Sequence, residues 1–362
     1  MGSEAEFAAA EPLDPRHQAF WDSERWSLLW LEPPEHTRIR KLVAAAFTPR
    51  SVDALRGPCE ELANDLLPNG DFDLIRGFAQ PYSIAVICRL LGVPTDRARD
   101  LLDWSHAMVK MYELDTTDTQ AEAATLAAAE FRDYVVSLAE ERRREPRDDL
   151  VTRLVETSID GRRLSDPELV STIIVLLNAG HEATVNTLGN GVLALLSHPQ
   201  QWQRLVCGEV EPAAAVEELI RWDPPLQLFE RWALEDGVEI AGGPVPRGSK
   251  VALLFGAANR DPRVFDNPDV YDPLREVPAD VPRWGHAFGG GMHACIGTEL
   301  AGGVPAPDEP SPDQAHERVL GTVTLMLDAL LTAGARPDPN AAPERDPHSA
   351  RDHFASYPVV FG

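Results

Sequence analysis

Apolar residues recur at three- and four-residue spacing along most of the chain, a pattern that predicts helices. The predicted helices span residues 51–66, 82–92, 97–113, 120–144, 147–156, 167–197 and 209–221. Pro94, Pro146, Pro167 and Pro199 lie between these segments or at their ends, where a missing backbone N–H costs least. Residues 238–255 differ, because short β-branched runs separated by glycines and prolines predict a meander of strands. We therefore expect a mainly α-helical fold with small β-sheets.

The segments between the predicted helices contain no clear hinge between domains. Residues 259–273 are rich in Asp, Asn and Pro and predict an irregular surface loop. Residues 302–313 contain four prolines, which predicts an exposed insertion, and a helix is expected to resume near Gln314. The acidic, Pro-rich residues 336–348 predict a mobile loop. The expectation is a single domain over residues 1–362.

Composition and charge narrow the classes of function. A chain of 362 residues with 44% apolar and 25% charged residues is typical of a globular protein. The formal net charge of -25 repels nucleic acid and anionic lipid surfaces, so neither is expected as a partner. No apolar run reaches the roughly 18 residues of a membrane span, and the N-terminus is acidic, unlike a signal peptide. Four cysteines without a C-x-x-C pair favour a reducing cytoplasm.

The strongest chemical signal lies in residues 288–301, which read FGGGMHACIGTELA. Cys295 follows a glycine-rich loop and precedes a short helical stretch. Glycines allow the backbone to approach a flat cofactor, and amides at a helix start lower the pKa of a cysteine and donate to its sulfur. The arrangement suits a thiolate ligand of iron. A glycine-rich turn around a buried structural cysteine is the alternative interpretation.

The loop matches F-G-x-G-x-H-x-C-x-G-x-x-L-A, and the chain resembles the cytochrome P450 superfamily, in particular soluble bacterial haem-thiolate monooxygenases, from about Leu31 to Leu300. The resemblance implies the cytochrome P450 fold, with haem b between the long oxygen-face helix and the cysteine loop. It implies that Cys295 is the axial ligand of the iron and that Phe288 shields the sulfur. The other loop residues implied to bind the cofactor are Gly289, His293 and Gly297.

Four further segments resemble the family in its order. His36 and Arg40, one turn apart in H-T-R-I-R, are implied to bind haem propionates together with Arg231 and with His293 of the cysteine loop. Taken alone, H-x-x-x-R is better explained by a charged amphipathic helix face. Glu218 and Arg221 resemble the family's E-x-x-R pair, and Arg275 is implied to complete a buried structural network that holds the haem loop.

The segment 178–184, NAGHEAT, resembles the helix over the oxygen-binding face of haem. Gly180 is expected to permit a local widening that admits dioxygen. Relatives read A-G-x-[E/D]-T-[T/S], in which the acid and the first threonine relay protons to bound oxygen. Here Glu182 is the expected proton source, and Ala183 replaces the threonine. Ordered water, Thr184 or a substrate hydroxyl is expected to replace the lost hydroxyl.

The chain also departs from the family pattern. Only 35 residues precede His36, fewer than in the family. The strands in residues 238–255 are therefore expected either to keep an unpaired edge or to be covered. The covering element is expected to be another subunit, as in a homodimer, or the N-terminal segment. After Ala301 the family's helix is interrupted, which reshapes the surface where electron donors dock. The basic residues expected to dock an acidic ferredoxin are Arg38, Arg40, Lys41 and Arg50.

The resemblance implies an oxidoreductase that uses dioxygen and electrons from a ferredoxin. Three segments are expected to face the substrate, namely residues 26–30, 176–179 and 226–229, and they are largely apolar and aromatic. The expected substrate is an apolar or aromatic natural product that is hydroxylated, epoxidised or oxidatively coupled in secondary metabolism. The alternative is a catalytically degenerate relative that binds and activates a partner enzyme such as a glycosyltransferase.

Overall fold

The chain forms two units, each built from stretches that are distant in sequence. The computed structural model describes residues 14–113, 115–159, 161–304, 319–338, 342–345 and 354–361. Unit 1 comprises Met1–Val43, Leu91–Asn178 and Leu228–Leu254, and unit 2 comprises Ala44–Leu90, Ala179–Gln227 and Phe255–Gly362. The expectation of a single domain over residues 1–362 stays a prediction.

Helices account for most of the described residues, which confirms the mainly α-helical fold. They are α1 (Gln18–Glu24), α2 (Glu35–Ala44), α3 (Pro49–Leu66), α4 (Gln80–Leu91), α5 (Ala98–Val109), α6 (Asp118–Arg144), α7 (Leu150–Glu156), α8 (Asp166–Ser197), α9 (Pro199–Val206), α10 (Pro212–Trp222), α11 (Phe255–Ala258), α12 (Thr298–Gly302) and α13 (Thr322–Thr332). Short 3-10 turns adjoin several of them, and residues 75–79 form a π-turn before α4.

The strands are short and pair antiparallel. They are β1 (Phe72–Asp73), β2 (Ser158–Ile159), β3 (Arg162–Arg163), β4 (Phe229–Trp232), β5 (Val238–Ile240), β6 (Gly243–Val245), β7 (Lys250–Leu253), β8 (Ala335–Pro337), β9 (Glu344–Arg345), β10 (Phe354–Ser356) and β11 (Pro358–Phe361). Strand β11 lies between β1 and β8, and the other described strands form pairs: β2 with β3, β4 with β7, β5 with β6, and β9 with β10. The strands predicted within residues 238–255 are confirmed.

The core of unit 1 is organised around α6. Thr117 and Gln120 form a capping box at its N-terminus, which satisfies backbone amides that have no partner within the helix. Helices α1, α5 and α7 pack against α6. Its buried face alternates small alanines with larger side chains, and the Phe131 ring lies 5.3 Å from that of Trp104 on α5. The small side chains allow neighbouring helices to approach closely.

Unit 2 contains the second half of α8, packed closely on two other helices. A Cβ added at Gly180 would lie 2.9 Å from Cδ1 of Ile87 on α4, and one at Gly191 would lie 2.6 Å from Cδ1 of Leu219 on α10. Helix α13 packs against α3, α10 and α12. A larger residue at either position of α8 would require the neighbouring Ile87 or Leu219 side chain to shift.

Several sequence expectations were incomplete. Helices α1 and α9 and strand β4 were not predicted, since each is short and carries too few periodic positions. The segment 259–273 is irregular, as predicted, but it is not wholly a surface loop. Asn259, Phe265 and Tyr271 are buried there, because tertiary hydrogen bonds satisfy a backbone whose composition indicates solvent exposure.

The predicted interruption after Ala301 lies partly within the described residues. Helix α12 ends at Gly302, Gly303 adopts a φ of 84°, and Val304 pairs with Val319 in an antiparallel bridge. Residues 305–313 of the predicted insertion and Gln314 lie outside the described residues, and α13 begins at Thr322. Of the predicted mobile loop, residues 336–337 and 344–345 belong to strands β8 and β9, and 339–341 and 346–348 lie outside the described residues.

Candidate functional site

The cysteine loop folds back on itself through its glycines. The Cys295 amide donates to the Phe288 carbonyl oxygen at 2.8 Å, which closes the loop, and the Thr298 hydroxyl donates to the Cys295 carbonyl oxygen at 2.9 Å. Gly289 and Gly291 have φ values of 68° and 69°, in the left-handed region that favours glycine. The Cys295 side chain is exposed at the end of this turn.

The surroundings of the loop leave room near its backbone. A Cβ added at Gly290 or Gly291 would meet no atom within 4 Å, and one at Gly297 would lie 3.9 Å from Cys295 Sγ. The Phe288 ring packs edge-on against Trp284, with centroids 5.4 Å apart. His293 is half-buried in the same loop. An open glycine backbone beside an exposed thiol is a surface that a flat ligand can cover.

The four cysteines differ in exposure. Cys59 and Cys88 are buried, and burial raises the pKa of their thiols to about 11 and about 12. Cys207 and Cys295 are exposed. A metal ligand must be a thiolate, so the two buried thiols are poor ligands. Of the two exposed cysteines, Cys295 is the one in a glycine-rich loop.

Glu218, Arg221 and Arg275 form a buried ion-pair network, and the E-x-x-R pattern had indicated its first two members. Arg221 Nε donates to Glu218 Oε2 at 2.7 Å and Arg221 Nη2 donates to Oε1 at 2.7 Å, a bidentate pair. Arg275 Nε approaches Glu218 Oε1 at 3.3 Å, and its other nitrogens donate to backbone carbonyls of residues 266–270. All three side chains are buried. The sequence thus named three residues that the fold brings together.

Asn259 joins this network to the cysteine loop, and sequence reasoning missed it. Its Nδ2 donates to the carbonyl oxygens of Arg221 and Trp284 at 3.1 and 3.2 Å, and its Oδ1 accepts from the His286 amide at 2.7 Å. A Cβ at Gly285 would lie 2.2 Å from Asn259 Oδ1, so glycine is required there. In sequence, an Asn in a polar loop indicates only a turn, and no local signal distinguishes this one.

A second link to the loop starts from the neighbouring acid. Glu217 is buried on α10, and its Oε2 lies 2.9 Å from Nε of Arg283, which precedes the cysteine loop. The sequence VEELIR therefore uses both of its glutamates to hold the segment 259–286. The E-x-x-R pattern names only Glu218, so Glu217 was not predicted.

The segment Ala179–Thr184 lies in α8, which is α-helical over its full length. Glu182 and Ala183 are half-buried, and Thr184 is buried. The Thr184 hydroxyl donates to the Gly180 carbonyl oxygen at 2.9 Å, and the Thr187 hydroxyl donates to that of Ala183 at 2.7 Å. Gly180 packs closely against Ile87. The widening expected at this glycine stays a prediction.

Three of the four expected propionate-binding residues lie in unit 1, and His293 lies in unit 2. His36 is buried on α2, and Arg40 is half-buried one turn later. Arg231 lies on β4, with its guanidinium 4.7 Å from the centroid of the Phe229 ring. Desolvation lowers the pKa of Arg231, and the charge of Glu32 partly offsets this.

The prediction that Arg38 belongs to the basic docking cluster is wrong. Arg38 is 9% exposed and forms a short ion pair with buried Glu168 and a 2.8 Å hydrogen bond to Glu35. Its charge is neutralised inside unit 1, because three of every seven positions on an amphipathic helix face inwards. Lys41 and Arg50 are exposed, and Arg40 is half-buried.

Comparison with known proteins identifies the family. The cytochrome P450 family profile matches residues 99–208 and 213–302, more than half of the chain. The chain is 38% identical over 279 residues to the polyketide biosynthesis cytochrome P450 PksS of Bacillus subtilis (strain 168), covering 76% of this chain and 66% of the relative. It is 36% identical over 285 residues to a steroid C26-monooxygenase of Rhodococcus jostii (strain RHA1), covering 77% of this chain and 58% of the relative.

The fold agrees with the sequence comparison. The crystal structure of P450BioI in complex with hexadec-9Z-enoic acid ligated acyl carrier protein superposes with a TM-score of 0.84 at 28% identity, covering 100% of this chain and 92% of that chain. A helical fold with small sheets and a cysteine in a glycine-rich loop defines a haem-thiolate protein. This chain belongs to the cytochrome P450 family. Among the residues that the structure describes, no helix is long and apolar enough to cross a membrane.

Proteins of this family bind haem b through a cysteine thiolate, and the residues present fit that group. Cys295 offers an exposed sulfur, Gly290 and Gly291 leave the neighbouring backbone open, and Phe288 places an aromatic ring in the same turn. The buried network of Glu218, Arg221 and Arg275 supports the segment that leads into this turn.

Proposed function

We propose that this chain is a haem-thiolate monooxygenase that oxidises an apolar or aromatic natural product in secondary metabolism. One observation carries the proposal: the exposed thiol of Cys295 lies in a glycine turn closed by the Phe288 carbonyl, within the motif that resembles the family's thiolate-ligand loop. The relative PksS is named as a cytochrome P450 of polyketide biosynthesis, which supports the substrate class. Hydroxylation, epoxidation and oxidative coupling are the candidate outcomes.

The chain's own residues hold and orient the cofactor in this proposal. Cys295 would provide the thiolate that holds the haem iron, and Phe288 would shield this sulfur from water. His36, Arg40, Arg231 and His293 bind the propionates, with Gly289 and Gly297 allowing close approach of the backbone. When bound, haem supplies the redox chemistry with dioxygen and with electrons delivered one at a time. Glu218, Arg221 and Arg275 keep the cysteine turn in register.

Proton supply follows from the arrangement of α8. Glu182 is half-buried and is the proposed proton source. Ala183 has no hydroxyl, and Thr184 is a poor replacement because it lies one turn after Gly180, on the face of α8 that packs against α4. Its hydroxyl is also committed to the Gly180 carbonyl oxygen. We therefore assign the missing hydroxyl to ordered water or to the substrate.

The proposed electron donor is a small acidic ferredoxin. Lys41 and Arg50 are the exposed cations of the expected cluster that remain available for docking. The proposed location is the cytoplasm, since four cysteines without a C-x-x-C pair favour a reducing compartment.

The decisive experiment is the carbon monoxide difference spectrum of the dithionite-reduced, haem-reconstituted protein. Wild type is expected to show the red-shifted Soret band of thiolate ligation, and Cys295→Ala to lose it. Cys207→Ala is the matched control, because that thiol is also exposed but lies outside the loop. The proposal is contradicted if Cys295→Ala keeps the band, or if wild type takes up no haem. Absence of haem uptake would favour a protein that supports a partner enzyme.

A further inference from the structure

A buried hydroxyl–imidazole pair joins α4 to α8 in unit 2, and the proposed function does not use it. Ser83 Oγ and His181 Nδ1 lie 2.6 Å apart, a short hydrogen bond. His181 is fully buried and Ser83 is 2% exposed. His181 is the third residue of the AGHEAT segment and immediately precedes Glu182. A polar contact at this depth is retained only if its groups find partners.

The hydrogen bond supplies a constraint that the neighbouring packing does not. Gly180 approaches Ile87 so closely that a Cβ would lie 2.9 Å from Cδ1. Such an apolar contact fixes the distance between two helices, but dispersion is not directional and permits rotation about the helix axis. A hydrogen bond weakens steeply with angle. The Ser83–His181 bond therefore adds a directional constraint on how α8 is rotated at this turn.

A small cavity, mostly apolar in its lining, adjoins Ser83. It measures about 10 Å³ and is lined by Ser83, Thr184 and Thr322 together with the apolar residues Val86, Ile87 and Leu300 and with Gly180. This is about the space for the centre of one water, and three hydroxyls provide the partners that a buried water needs. Ser83 Oγ also lies 3.4 Å from the Gln80 carbonyl oxygen, an alternative acceptor for its proton. The hydroxyl can therefore donate to His181 or accept from it without losing all partners.

We propose that the Ser83–His181 hydrogen bond, supported by one water in this cavity, is a positioning device that sets the direction of Glu182 for the monooxygenase reaction. Successive residues of a helix differ by 100° in direction, so fixing His181 fixes Glu182 and Ala183. A rotation of about 20° moves side-chain atoms about 5–6 Å from the axis by about 2 Å. A shift of about 1 Å in a reacting group can cost about 100-fold in rate. The inference rests on the proposed function.

The first arm of the test examines the bond without haem. In apo protein labelled with 15N-histidine, the His181 ring signals, assigned with His181→Phe, are expected to show a hydrogen-bonded Nδ1 that shifts in Ser83→Ala. Thr187→Val is the matched control, because Thr187 also bonds a carbonyl of α8 but does not line the cavity. Ring signals unchanged in Ser83→Ala contradict the bond itself and overturn the inference.

The second arm uses haem-loaded protein and the peroxide-driven oxidation of guaiacol, which needs no redox partner. Ser83→Ala is expected to lower kcat about 10-fold with KM changed less than 2-fold, and Ser83→Thr to restore it. In a Glu182→Gln background, Ser83→Ala is expected to have no further effect, since it acts through the carboxylate. Equal effects of Ser83→Ala in both backgrounds, or none in either, overturn the inference.

The two arms separate this inference from the proposed function. Wild type that takes up no haem contradicts both, whereas haem-loaded wild type with an unaffected Ser83→Ala variant contradicts only the positioning role. Should Ser83→Ala fail to fold, His181→Phe removes the same bond from the α8 side and takes its place in the second arm. In the first arm Ser83→Cys then replaces the hydroxyl by a weaker hydrogen-bonding thiol and keeps the His181 ring observable.

Discussion

Asn259 Oδ1 accepts a hydrogen bond from the His286 backbone amide at 2.7 Å, and this contact connects a buried ion-pair network to the turn that carries Cys295. The same side chain donates to the Arg221 carbonyl oxygen at 3.1 Å. The network on α10 and the cysteine turn are therefore mechanically coupled through one amide.

Asn259→Ala is expected to loosen the cysteine turn. Removing the amide leaves the buried Arg221 carbonyl and the partly buried backbone groups of Trp284 and His286 without this partner. The expected loss in the free energy of unfolding is about 2–3 kcal/mol. Haem affinity should fall with it. Urea unfolding and haem titration measure the two effects. Asn64→Ala on α3 is the matched control, because that exposed amide bonds the backbone of its own helix; an equal loss there would refute the coupling.

Arg38 and Lys41 are expected to respond differently, although both lie on α2. Arg38→Gln strands the buried carboxylate of Glu168 and should cost about 3–5 kcal/mol in the free energy of unfolding. Lys41→Glu should change that free energy by less than about 0.5 kcal/mol. It should also slow ferredoxin-supported reduction, and added salt should diminish the difference from wild type. A rate of reduction unchanged in Lys41→Glu would remove Lys41 from the docking surface.

Glu24 is expected to make unit 1 sensitive to pH. Burial raises the pKa of this carboxyl from 4.5 to about 7, with hydrogen bonds from Tyr112 and Trp30 partly opposing the shift. The folded state therefore binds more protons than the unfolded state between these values, so this carboxyl's contribution to stability is present below pH 4.5 and is lost as pH rises through 7. The full difference is about 3 kcal/mol.

The measurement for Glu24 is the free energy of unfolding of wild type and Glu24→Gln across pH 4–8. The free energy of unfolding of Glu24→Gln should increase relative to that of wild type as pH rises, because a neutral amide has no charge to desolvate. Glu122→Gln, on the exposed face of α6, is the control and should run parallel to wild type. Parallel curves for Glu24→Gln would refute the assignment.

Gly180→Ala is expected to lack the gain of about 0.5–1 kcal/mol that alanine brings to an open helix position, since the new Cβ would lie 2.9 Å from Ile87 Cδ1 and that side chain must shift. Ile87→Val removes that methyl group, so the double variant should be more stable than the sum of the single effects predicts. Thermal and urea unfolding measure the coupling. Gly57→Ala on α3 is the contrast: nothing lies within 4 Å of its Cβ, and it should stabilise by about 0.5–1 kcal/mol. Strict additivity of Gly180→Ala and Ile87→Val would show that the clash is relieved elsewhere.

Long helices and the site motifs were predictable because their signals are local. Apolar periodicity identified α3, α4, α6 and α8 within a few residues of their ends. The loop around Cys295 and the pair Glu218–Arg221 were recognisable because their chemistry requires fixed residue types at fixed spacing. Short elements such as α1, α9 and β4 contain fewer positions than a period needs to be detected.

By itself, the sequence determined the helical class, the cysteine turn and the Glu218–Arg221 pair, since each depends on neighbours within a few positions. The tertiary structure decided the rest. It buried Arg38 and exposed Lys41, turned Thr184 towards α4, placed Ser83 against His181, and brought Asn259 to the cysteine turn. These outcomes depend on which surfaces pack together, and residues far apart in sequence supply the partners that decide whether a charge or hydroxyl is buried or free.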